Sequence, residues 1–195
     1  MRWLAAVLVA LLAWQFLLRD TPVELGPGVH APEAPQQRGI AAAESFPHKG
    51  YQITPLAAFK VRAKVLSRED YRFDREAELA PLDLALGWGR MSDEAVLSDI
   101  DIRQSGRWYR WRSKSFPIPR REIETHSANM HLIPADDEIG EALDDIDPGQ
   151  VVELRGFLVR AEADDGWRWT SSLSREDTGA GACEVIFVKQ VRRYL

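Results

Sequence analysis

Positions 3–18 are apolar apart from Gln15, a pattern found nowhere else in the chain. Sixteen helical residues at ~1.5 Å rise span about 24 Å, slightly short of a ~30 Å hydrocarbon core. Trp3 and Trp14 suit the two interfaces, and Arg2 and Arg19 can snorkel. The pattern predicts a transmembrane helix over 1–19. A cleaved signal peptide is the competing reading, with Arg2 as its basic start. The apolar run exceeds the usual signal core, however, and no clean Ala-x-Ala site follows it. Arg2 and the terminal amine are positive while Asp20 neutralises Arg19, so the positive-inside bias places the N-terminus in the cytoplasm and the remainder outside.

Positions 20–50 carry Pro22, Pro27, Pro32, Pro35 and Pro47 with Gly26, Gly28, Gly39 and Gly50, and predict a semi-extended linker. From Tyr51 the pattern becomes globular. Positions 59–68 alternate, with Phe59, Val61, Ala63 and Val65 on one face, and predict a half-buried strand. Ser92 before Asp93 and Glu94 reads as an N-cap opening a helix to Leu97. Ile100 and Ile102 alternate with charges, and Gln104-Ser105-Gly106 turns into Arg107-Trp108-Tyr109-Arg110-Trp111-Arg112, which predicts a β-hairpin. Ile139, Ala142, Leu143 and Ile146 fall on one helical face that Asp147-Pro148-Gly149 ends. Positions 151–160, with Gly156 as a bulge or tight curl, then 167–169 and 185–191, supply further strands. The predicted fold of 51–195 is α+β and mainly β: a small curled antiparallel sheet or OB-like barrel with one or two short helices.

Net charge is −5, which gives no reason to expect nucleic acid. Its distribution says more. Positions 103–121 hold seven bases and no acid, and 136–147 seven acids and no base. Arginines interleaved with Trp108, Tyr109 and Trp111 suit a cation–π ladder, anionic lipid, or nucleic-acid stacking. Asp144 and Asp145 sit in the last turn of the predicted helix, where the macrodipole disfavours anions, so a cationic neighbour is expected. The Arg-rich hairpin, of this chain or of a second copy, is the candidate.

Cys183 is the single cysteine, which excludes an intramolecular disulfide, a CxxC pair, a zinc–thiolate cluster and a lipoprotein anchor. It reads as a small buried residue opening a core strand. Asp177-Thr178-Gly179-Ala180 matches the loop of aspartic proteases, but only sixteen residues follow Gly179, so it reads as a strand-joining turn. His126 and His131 point apart in either a strand or a helix, which disfavours a shared metal. Glu124, His126 or Asp177 remain candidates for acid/base work. No phosphate loop or nucleophile elbow is present.

Two strings carry a resemblance: His126-Ser127-Ala128-Asn129-Met130-His131-Leu132-Ile133-Pro134-Ala135, and the run from Trp169-Thr170-Ser171-Ser172-Leu173-Ser174-Arg175 through Asp177-Thr178-Gly179-Ala180-Gly181-Ala182-Cys183-Glu184. With the N-terminal apolar run they resemble an uncharacterised family of bacterial single-pass membrane-anchored proteins with no known activity. The resemblance implies a bacterial envelope setting and no chemistry.

The expectation is therefore a single-pass inner-membrane protein with a periplasmic domain. It would bind another envelope protein, or a second copy of itself, through Arg107, Trp108, Arg110, Trp111, Arg112, Arg175 and Asp177, with no cofactor, metal or nucleic acid. A small periplasmic hydrolase is the alternative, and an OB-like nucleic-acid binder a second one if the domain is cytoplasmic.

Overall fold

The computed structural model of the protein describes residues 22–41, 43–174 and 183–194. The fold is α+β and mainly β. Two short strands, β1 (Gln36–Gly39) and β2 (Phe46–His48), precede the long β3 (Tyr51–Asp70). There follow β4 (Leu82–Gly87), the hairpin β5 (Ile100–Ser105) and β6 (Trp108–Ser113), β7 (Ser127–Pro134), β8 (Val151–Glu162), β9 (Arg168–Thr170) and β10 (Glu184–Tyr194). Short helices lie between them: α1 (Arg75–Leu79), α2 (Glu94–Leu97), α3 (Arg120–Thr125) and α4 (Asp137–Asp144).

Five strands close on themselves. β3 pairs with β4, β4 with β7, β7 with β10, β10 with β8, and β8 returns to β3; only β7–β10 is parallel. Alternation sends Phe59, Val61, Ala63 and Val65 inward with Leu82, Leu84, Leu86, Met130, Leu132, Val152, Leu154, Leu158, Ile186 and Val188. Each of these side chains other than Ala63, once removed from water, contributes about 1.5–3 kcal/mol. α4 adds Leu143, and the turn after it Ile146, to the same core. Gly156 lies where β8 meets the irregularity in β10 between Val188 and Gln190; a Cβ there would come within 1.9 Å of the Phe187 carbonyl oxygen.

The cation expected at the end of α4 is present, but it is not the hairpin. Arg68 of β3 donates to the carbonyls of Leu143 and Ile146 at 3.0 and 2.8 Å, and Arg193 of β10 donates to the Asp145 carbonyl at 2.7 Å. Two strands that flank the helix terminus supply the charge, because closure of the sheet brings them there.

The expected linker is also different. Val23 donates its N–H to the Pro148 carbonyl at 2.8 Å, and the amides of Leu25 and Gly26 each reach a Glu94 carboxylate oxygen at 2.6 Å. The Gly28 amide binds Asp93, and those of His30 and Ala31 bind Ser92 Oγ at 3.1 and 2.9 Å. Ala31 is fully buried, and β1 pairs along β3. Proline and glycine deny this stretch its own helix or hairpin, yet its free amides are satisfied by side-chain oxygens of the domain. Residues 23–31 thus form a docked strap. Ser92 serves the strap, and Asp93 is the true cap of α2, accepting from the Ala95 amide at 2.9 Å. The predicted transmembrane helix lies outside the described residues; among those described, no helix is long and apolar enough to cross a membrane.

Candidate binding groove

The β5–β6 hairpin leans on the closed sheet through one face. Ile100, Ile102 and Trp111 pack with Met91, Ile118 and Ile123 in a satellite core. Tyr109 donates from its hydroxyl to Ser127 Oγ at 3.1 Å, and burial pushes its phenol up to about 12, so it remains a donor. Gln104 Nε2 donates to Asn129 Oδ1 at 2.6 Å.

Gly106 and Arg107 make the turn with φ of +58° and +68°, the left-handed pair that suits a two-residue hairpin. That conformation folds the Arg107 side chain back onto the domain. Its guanidinium lies 3.6 Å from the centre of the Tyr71 ring, and its Nη1 donates to Asp83 Oδ1 and to the Ala80 carbonyl, each at 2.8 Å. Nη2 donates to Asp74 Oδ1 at 2.8 Å. Asp83 is fully buried, and His131 Nδ1 stands 2.8 Å from the same Oδ1 in a close contact without hydrogen-bond geometry. The Asp74 carboxyl is held below the ordinary range, chiefly by the Arg107 hydrogen bond. Arg107 therefore pins the hairpin rather than facing a ligand.

Beside the hairpin runs a groove of about 1180 Å³. All six residues of β6 line it, whereas β5 contributes only Ile100 and Asp101. Consecutive residues of a strand line one cavity when the strand is presented edge-on, and among the described residues β6 pairs only with β5. The far wall consists of Arg120, Glu124 and Thr125 of α3, then Ser127, Ala128 and Asn129 of β7, with Ser174, Cys183 and Glu184 at one side. Trp108 and Phe116 are 42% and 53% exposed, far more than core aromatics. Phe116 meets Trp111 edge-on at 6.1 Å. Arg112 and Lys114 line the groove and form no ion pair with a described residue.

Of the residues singled out from sequence, the groove gathers Trp108, Arg110, Trp111 and Arg112. Arg107 is withdrawn into the buried cluster, and Arg175 and Asp177 lie outside the described residues. Instead of a ladder of hairpin arginines on hairpin tryptophans, the cation–π contacts here run from Arg107 to Tyr71 and Trp169 and from Arg120 to Trp111. In each case one of the two partners comes from outside the hairpin, whose pairing register puts Arg103 opposite Arg110 and Asp101 opposite Arg112.

Of the acid/base candidates, Asp177 lies outside the described residues, and Glu124 and His126 are each held by other partners. Glu124 accepts from Arg120 Nε at 2.8 Å, and His126 Nδ1 lies 3.0 Å from Thr125 Oγ1 just beyond the end of α3. Cys183 is half-buried at the groove margin rather than inside the core. No cluster of metal-ligating side chains occurs among the described residues. Asp83 and Asn129 gave no sequence signal beyond being polar residues inside apolar runs, and that interruption was the clue available. No family model, curated protein or solved structure matches the chain significantly.

Proposed function

We propose that the protein is a membrane-anchored, periplasmic binding domain of the bacterial envelope whose groove takes an extended segment of another envelope protein as an added strand. The observation that carries this reading is the edge of β6 that no described strand pairs, bordering a groove with exposed Trp108 and Phe116 and the cations Arg110, Arg112 and Lys114. An unpaired strand edge offers backbone donors and acceptors in register, and flanking pockets give specificity. The cations favour a segment bearing carboxylates.

Strand order supports a finer reading of the fold as an OB-like barrel. In ring order the strands run first, second, third, fifth, fourth, with a helix between third and fourth and a parallel pair between third and fifth. Domains of that type bind ligands over the second and third strands and the loop between the fourth and fifth, which is where Ser127, Asn129, Ser174 and Cys183 border the groove.

The test is a photo-crosslinking residue placed in living cells at Trp108, Phe116 or, as an exposed control, Phe73. Adducts at positions 108 and 116 that disappear with R110E/R112E, and none at position 73, are expected. Equal labelling at all three removes the groove reading. A reporter active only outside the cytoplasm, fused after Leu195, tests the location; inactivity in the membrane fraction would turn the groove towards cytoplasmic ligands, nucleic acid among them.

A further inference from the structure

Away from the groove, the outer wall formed by β3, β8 and β10 carries Lys60, Arg62, Arg155, Lys189 and Arg192. Register arranges them in rows: Arg62 opposite Glu153 and Glu153 opposite Arg192, then Lys60 opposite Arg155 and Arg155 opposite Gln190. The intervening residues Val61, Leu154 and Val191 pack on the core, so these polar side chains face out. Glu153 is the single carboxylate in the rows. It is 5% exposed and already held by Lys60 at 3.2 Å and Arg155 at 2.7 Å.

Three cations remain without a carboxylate partner among the described residues. Arg62 lies over the Tyr194 ring at 4.2 Å with its Nε buried and unpartnered, Lys189 lies over Phe157 at 5.6 Å, and Arg192 is exposed. Five positive groups around one neutralised acid make a persistent positive field.

The docked strap bounds how far this wall can lie from the membrane that holds the anchor. It begins at Val23, against Pro148 and Gly149, and Lys64 joins that turn by donating to the Gly149 carbonyl at 2.8 Å. Lys64 pairs with Val151, and Val151 with Tyr194, so the row of Arg62 and Arg192 lies one alternation from the strap's start. The apolar run of the sequence ends at Leu18. Five residues reach at most about 18 Å, and headgroups extend ~5–8 Å beyond the hydrocarbon on each side. On the anchored reading, on which this step rests, the domain is not held off by a long tether but abuts the bilayer.

Two stances are open to it. Standing on the Pro148 end would press exposed Asp144 and Asp145, at the end of α4 that leads to Pro148, towards the surface. Lying on its side would lay the basic wall there. We propose that the wall of Lys60, Arg62, Arg155, Lys189 and Arg192 rests on anionic phospholipid headgroups of the membrane that holds the anchor. Contact within a Debye length of about 8–10 Å is what makes such charges count. The groove is then held beside the bilayer in a fixed orientation.

The full chain, reconstituted in vesicles of phosphatidylcholine alone or mixed with phosphatidylglycerol, is treated with a membrane-impermeant amine reagent. Labelling of Lys60 and Lys189, relative to Lys114 and Lys49, falls about fivefold in the anionic vesicles, recovers in ~1 M salt, and loses its lipid dependence in R62E/R192E. Equal labelling in both vesicles overturns the inference. Flotation after an alkaline wash reads the anchor separately. A chain stripped from phosphatidylcholine vesicles contradicts the anchored reading, and one retained there with Lys189 equally reactive in both lipids contradicts the wall alone.

Discussion

Arg107 and Asp83 are 24 residues apart in sequence and meet through an Nη1–Oδ1 hydrogen bond of 2.8 Å, with the carboxylate fully buried. A buried charge is tolerated only when paired and hydrogen-bonded, so this contact decides whether the hairpin stays seated. Arg107→Ala is expected to lower stability by about 3–5 kcal/mol, because Asp83 is left buried and uncompensated. Arg107→Met combined with Asp83→Asn removes both charges and should recover a large part of that loss. Urea denaturation of the three proteins measures it. Equal losses in the single and double variants would show that the pair is not coupled.

The strap should respond to acid. Burial opposes the charge on Glu94, but its hydrogen bonds with Lys64 and with the Leu25 and Gly26 amides outweigh this and hold its pKa below the ordinary value. A depressed carboxylate contributes its stabilisation in full above the unfolded pKa, about 4.3 for Glu, and loses it as pH falls through the lower folded value. Amide exchange of residues 23–31 should therefore accelerate as pH drops below ~4, after correction for intrinsic rates. Glu94→Gln should show fast exchange already at neutral pH.

Gly156→Ala tests closure of the sheet. The added Cβ would meet backbone, the Phe187 carbonyl at 1.9 Å, which no rotamer change relieves. A loss of about 3 kcal/mol or more is expected by calorimetry. A variant as stable as the wild type would mean that β8 and β10 do not approach this closely.

At the end of α4 the hydrogen bonds should matter more than the acids. Arg68→Ala frees the carbonyls of Leu143 and Ile146 and is expected to cost about 1–3 kcal/mol. Reversing exposed Asp144 and Asp145 to lysine should move the melting temperature little, although Asp145 accepts from Arg193 at 3.2 Å. The opposite ranking would restore a dominant role for the acidic cluster.

Periodic elements were legible in the sequence because their periodicity is local. The alternation of Phe59, Val61, Ala63 and Val65, the hairpin turn at Gly106, and the helical face of Ile139, Leu143 and Ile146 each follow from neighbours a few residues apart. The strap was not legible, since its order comes from acceptors on Ser92, Asp93 and Glu94 more than sixty residues away. Arg107 was read as a ligand contact because composition marks a charged aromatic hairpin but does not tell which arginine folds back. The buried Asp83 that claims it sits in a six-residue strand that is otherwise apolar. Half of the groove was visible for the same reason. Trp108, Arg110, Trp111 and Arg112 belong to one strand, while the opposite wall is assembled by tertiary contact alone.

The most direct test of strand addition is the spacing of contacts along the partner. Photo-crosslinkers placed singly at Trp108, Arg110 and Arg112 of the full chain, followed by mass-spectrometric mapping of each attachment point, read that spacing. Pairing with the β6 edge predicts three attachments two residues apart along one extended, carboxylate-bearing segment, in a single direction. Attachments three to four residues apart on a helix, or scattered over separate regions, would contradict it.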